Sequence, residues 1–148
     1  MALESYRLDQ FAHDLVLKYR DKKDGKVYVL NQTHKMRMSV AYGLERFWGE
    51  HLRLDGNKAS YWKETWTTLV EILSHAGINL PNDEIISEKD TAAIKSMAEK
   101  LWTFDTQQRK VALAVLTQLC NYMVWLTQQY KLNNGEKNLL TNNGNFGE

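Results

Sequence analysis

At 148 residues, with five Trp and a single Cys, the chain is long enough to bury one core, and Cys120 alone excludes both an internal disulfide and a cysteine zinc cage. A net charge of +1 with 11% aromatic residues excludes a disordered polyelectrolyte. The opening Met1-Ala-Leu-Glu-Ser-Tyr-Arg has no signal-peptide core and no apolar run of about 18 residues follows, so a cytoplasmic protein without a membrane span is expected.

The first predicted helix runs from about Glu4 to Lys22, with Leu8, Phe11, Ala12, Leu15 and Tyr19 at helical spacing. Asp24-Gly25 breaks it. Val27-Tyr-Val-Leu30 has β-propensity but no evident partner strand, and reads as an extended connector packed on the core. The second predicted helix spans Lys35 to Leu54 and stops near Asp55-Gly56-Asn57. The third begins near Ser60, with Trp62, Trp66, Leu69, Val70 and Leu73 as its stripe, and ends at Gly77. A connector containing Pro81 follows.

Ser87-Glu-Lys-Asp90 reads as a capping start for a fourth helix carrying Ile94, Met97, Ala98 and Leu101. Asp105-Thr-Gln-Gln108 opens the fifth, which reaches about Tyr130 and is apolar over more than half its circumference. It is expected at the centre of the bundle. Residues 133–148, rich in Asn and Gly, read as a flexible tail. The expectation is an all-α, single-domain bundle of about five helices over residues 1–132.

Charge is unevenly placed. From Lys18 to Arg37 seven Lys/Arg face only Asp21 and Asp24, a net +5, so the rest of the chain carries −4. Lys18, Lys22, Lys23 and Lys26 in this stretch are candidate phosphate contacts, and read equally as a solvated lysine-rich loop. The second predicted helix has two faces. At about 100° per residue, Val40, Ala41, Leu44, Phe47, Trp48 and Leu52 form an apolar side. Lys35, Arg46 and Arg53 form a narrow row opposite, with Ser39, Tyr42 and Gly49 between them and no acidic residue interrupting it. On a straight rod the row is about 27 Å long, which suits a polyanion. Tyr42 within it reads either as a cover for sugar or base or as a half-buried rim residue.

Other chemistry finds little support. His13, His34, His51 and His75 lack metal-ligand spacing, no glycine-rich phosphate loop occurs, and no nucleophile elbow is present. No metal or cofactor is therefore expected. Trp62 and Trp66 align with Leu69 and Leu73 and read as core rather than as base-stacking residues. Cys120, flanked by Leu119 and Tyr122, reads as a small buried hydrophobe. Arg46-Phe-Trp-Gly-Glu-His51 fits the R-x4-H spacing of HEPN ribonucleases, in which His serves as base and Arg steadies phosphate charge. On an ideal helix these two residues stand about 140° apart.

The early Leu8-Asp-Gln-Phe-Ala-His-Asp-Leu helix, Tyr42-Gly43-Leu44, and Val124-Trp125-Leu126 with Tyr130 after it resemble the small helical subunit of type III CRISPR effector complexes. The resemblance covers roughly Glu4 to Leu132. This chain has Tyr42 where that family often has Asn, and its last helix is longer before the Trp. The resemblance implies a non-catalytic role: contacts to guide–target RNA phosphates, packing against other effector-complex proteins, and head-to-tail self-association. Three classes stay open at this point: such an RNA-contacting subunit, a metal-independent HEPN-like ribonuclease or toxin using Arg46 and His51, and a helical protein-interaction module without RNA.

Overall fold

The computed structural model describes residues 5–132; the tail expected over residues 133–148 lies outside the described residues. The described chain is an all-α bundle of six α-helices with one minimal hairpin: α1 (Ser5–Tyr19), β1 (Lys23–Asp24), β2 (Val27–Tyr28), α2 (Thr33–Ser39), α3 (Leu44–Arg53), α4 (Gly56–Ser74), α5 (Thr91–Trp102) and α6 (Thr106–Tyr130). Short 3-10 turns at Val29–Gln32 and Val40–Tyr42 flank α2.

The count exceeds five because the second predicted helix is two. Gly43 stands at φ +98 and ψ 174, which no helix admits. Its amide closes the preceding turn on the Val40 carbonyl (3.1 Å), and its own carbonyl accepts from Phe47 (3.2 Å), so one residue ends one helix and starts the next. Ala41, expected on the apolar side, is exposed because the 3-10 turn rotates it outward.

Val27-Tyr28 does have a partner strand. It pairs antiparallel with Lys23–Asp24, Lys23 opposite Tyr28 and Asp24 opposite Val27, across a turn in which Gly25 takes φ +65. The hairpin also serves a distant helix. The Asp24 carboxylate accepts from the Asn57 and Lys58 amides (3.0 and 2.9 Å), and Asn57 Nδ2 donates to the Lys23 carbonyl (3.1 Å). These are free amides of the first turn of α4, whose own N-cap, Asp55, makes no side-chain bond there. With that support the helix starts at Gly56 rather than near Ser60. It ends in a Schellman turn at Gly77 (φ +79), where Ile78 donates back to the Leu73 carbonyl (3.0 Å) and Gly77 to Ser74 (3.1 Å).

At α5 the cap is Asp90 itself, accepting from Ala93 (3.1 Å), whereas Ser87 Oγ only tightens the preceding turn through the Lys89 amide. Asp105 caps α6 through Gln108 (3.0 Å) as its spacing predicts. Arg109 then reaches back and donates to the terminal carbonyls of Leu101, Trp102 and Phe104, tying α6 to the end of α5.

The core follows the helical stripes. Leu8, Ala12, Leu15 and Tyr19 on α1, Trp62, Trp66, Leu69 and Leu73 on α4, and Leu116, Leu119, Cys120 and Met123 on α6 are all buried. Phe47 packs its ring 5.0 Å from Trp62 and 6.4 Å from Trp66, so α3 and α4 meet over aromatic surface. Helix α6 packs against α1, α2 and α4, the central position expected of it. It has the length and composition of a membrane span, yet 44% of that apolar window is buried inside the bundle.

Several polar atoms in the core are partnered. Thr33 Oγ1 meets the Tyr61 hydroxyl (2.7 Å) and accepts from Thr127 Oγ1 (3.1 Å), and the Trp62 indole donates to Gln32 (2.9 Å). This chain of bonds fixes the start of α2 against α4 and α6. Burial pushes the Tyr61 hydroxyl and the Cys120 thiol upward, Cys120 to about 12.

Candidate nucleic-acid interface

The candidate cations fall into two groups that the fold keeps apart. Lys35 comes from α2 and Arg46 from the first turns of α3. Together with Met38, Ser39, Tyr42, Glu50 and Trp62 they line an open hollow of about 220 Å³. Gly43 breaks the helix between Lys35 and Arg46, so the expected straight row of about 27 Å is interrupted, yet both cations line one cavity.

Within the hollow Tyr42 is 67% exposed, and the Arg46 guanidinium lies over its ring at 4.7 Å to the centroid. That stacking holds a cation in place while leaving its N–H edges available to an anion. Lys35 is exposed beside it and, among the described residues, makes no ion pair. The floor is the buried Trp62.

Arg53 does not join them as a free charge. Its guanidinium is bound by Glu50, with Nε donating to Oε2 at 2.8 Å, and this bond raises its already high pKa. Glu50 itself lines the hollow, so an acidic group does enter the row that appeared free of acid. It stands four residues after Arg46 and three before Arg53, hence on the same helical side.

The second group sits at the end of α1 and on the hairpin. Lys18 is paired with Glu64 at 2.9 Å, and the Tyr19 hydroxyl donates to the same carboxylate (2.8 Å); burial first, then Glu64, pushes the Tyr19 hydroxyl upward. Glu64 lies about 200° around α4 from Trp62, so Lys18 and the hollow occupy different sides of that helix. Lys23 stacks over Tyr28 at 4.5 Å, while Lys22 and Lys26 are exposed. This is a basic hairpin, separate from the hollow.

Arg46 and His51 are not brought together. His51 donates Nδ1–H to the Trp48 carbonyl (2.6 Å), since a carbonyl can only accept, and its ring packs edge-on to Trp48 at 5.6 Å. Burial lowers its pKa, opposed by the Trp48 bond and aided by Lys63. Among the described residues no three His, Cys, Asp or Glu side chains gather as a metal site. Arg37, which the row omitted, donates its Nε to Asn121 Oδ1 on α6. A neutral amide leaves its charge uncompensated, and no local spacing links residues so distant in the chain.

Comparison of the chain with protein-family models, with curated proteins and with solved structures finds no match.

Proposed function

We propose that this chain is a non-catalytic RNA-binding subunit of a larger cytoplasmic ribonucleoprotein, of the kind represented by the small subunits of type III CRISPR effector complexes. One observation carries the reading. Lys35 and Arg46, neither held by a carboxylate, flank an exposed tyrosine in a solvent-open hollow. Two cations spaced around an aromatic ring suit a phosphate–sugar backbone, where phosphate contacts position the RNA without reading its sequence. Sequence choice then belongs to base pairing elsewhere in the assembly. The exposed basic hairpin adds long-range attraction for the same polyanion.

A protein neighbour suits another surface. The uneven charge, +5 from Lys18 to Arg37 against −4 elsewhere, lets basic surface of one copy meet acidic surface of the next, which is a heterologous, head-to-tail contact.

The test is recovery of a tagged copy from its native cell, with sequencing of bound RNA and identification of bound proteins. Enrichment of guide-type RNA together with effector proteins is the expected result. Recovery of the chain with no RNA, when Lys35 and Arg46 are intact, overturns the reading.

A further inference from the structure

Two packed helices, α2 and α6, share an unusual composition. No Asp or Glu occurs between Asp24 and Glu45, nor anywhere from Thr106 to Tyr130. Both α2 and α6 lie inside these stretches. They pack antiparallel, because Thr33 bonds to Thr127 at one end and Arg37 to Asn121 at the other. A surface built from these two helices presents cations with no carboxylate of its own.

Thr33 and Met36 bury the inner side of α2. At about 100° per residue half-buried Arg37 lies about 40° from Thr33, on the side where it bonds Asn121 of α6, while the outer side carries His34 and, lining the hollow, Met38 and Lys35. On α6, Asn121 and Trp125 are one turn apart on the same side. Trp125 is 58% exposed, one turn from the Asn121 that holds Arg37, while Met38 at 71% and Tyr42 at 67% are exposed at the hollow. An exposed aromatic side chain thus stands near each group of cations, Trp125 by the partner of Arg37 and Tyr42 under Arg46. The other exposed tryptophan, Trp102, is unlike them: its indole donates to Glu45 (2.8 Å), placing a carboxylate against it.

Resting on the RNA-binding reading above, we infer that this α2–α6 ridge extends the hollow into a track for an unpaired RNA strand. Trp125 and Tyr42 are its stacking platforms, and Lys35, Arg37 and Arg46 follow the phosphates. A duplex offers such a surface only phosphates, since its bases are stacked inward, and an exposed indole gains nothing from it. An unpaired strand can turn its bases onto aromatic faces while its backbone tracks the cations.

The test compares a short fluorescein-labelled oligouridine with a blunt RNA duplex of equal length, by anisotropy on the full chain at several salt concentrations. The single strand is expected to bind more tightly. Trp125→Ala should weaken single-strand binding by about 5- to 150-fold without changing the salt slope, because an indole neutralises no phosphate. Trp125→Phe keeps a π-face and should restore most of the loss, whereas Trp102→Ala should leave binding unchanged. Far-UV circular dichroism checks folding of each variant. Equal or tighter binding of the duplex, or undiminished single-strand affinity in folded Trp125→Ala, overturns the inference and leaves the RNA-binding reading standing. Failure of the unsubstituted chain to bind either probe overturns both.

Discussion

Asp24 and Gly56 are in close approach across more than thirty residues of chain. The carboxylate that holds the first turn of α4 lies so near the Gly56 α-carbon that an added Cβ would stand 2.9 Å from Oδ1, and Gly56 itself takes φ +63. The hairpin and the helix start are thus one unit. Asp24→Ala should destabilise the fold by about 1–2 kcal/mol through the lost cap. Gly56→Ala should cost about 1–3 kcal/mol from backbone strain and the clash together. In the double variant the clash disappears with the carboxylate, so the two losses should sum to less than additivity requires. Urea titrations of all four proteins measure this; strict additivity would show that the two residues do not touch in solution.

Two other glycines separate conformation from space. A Cβ at Gly43 or at Gly49 would meet nothing within 4 Å, but Gly43 has φ +98 while Gly49 lies inside α3. Gly43→Ala should therefore destabilise by about 1–3 kcal/mol, and Gly49→Ala should stabilise by about 0.5–1 kcal/mol. Equal effects of the two substitutions on the urea midpoint would argue that α2 and α3 form a continuous helix.

The charges of the hollow should not be equivalent. Replacing Lys35 and Arg46 with Glu should weaken RNA binding alike on unrelated sequences, flattening the salt dependence by roughly 0.7–0.9 units of slope for each lost phosphate contact. Arg53→Glu should do much less, since Glu50 already occupies that guanidinium. All three lie on exposed surface, where stability usually shifts by within about 0.5 kcal/mol. Affinity measured across salt concentrations decides it, and a folded Lys35/Arg46 variant with unchanged affinity counts against the interface.

His51 should act on stability and not on catalysis. Its folded-state pKa lies below the ordinary histidine value because burial disfavours the charged ring. The unfolded chain therefore takes up this proton first as pH falls. The stability His51 supports is complete above the unfolded value near 6.5 and drains away as pH falls from there through the folded value. Melting temperature should drop as pH falls below about 6.5, and His51→Gln should shrink that drop. Incubation with labelled RNA, with and without divalent metal, should show no cleavage. Cleavage lost in a folded His51→Ala variant would instead support the HEPN-like reading.

Sequence alone determined α1, α4, α5 and α6 and their inward faces, but not the division of the second predicted helix into two. Leu8 to Tyr19, Trp62 to Leu73 and the Asp105 cap are encoded within one or two turns, where i, i+3 and i+4 neighbours and a single side chain settle the outcome. The burial of Cys120, Trp62 and Trp66 was legible for the same reason. Tertiary structure decided the rest. A glycine sits in a helix or at positive φ with little intrinsic preference, and at Gly43 the break sets Val40, Leu44 and Phe47 into one core with Met36. The short β-run found its partner only through a hairpin whose Asp24 is anchored on α4. Glu50, by contrast, was legible in the sequence, since it stands four residues after Arg46 and three before Arg53 on one helical side. Arg37 beside Asn121, one turn from Trp125, joins residues from opposite halves of the chain. No local spacing encodes such a meeting, because it depends on which helices share a core.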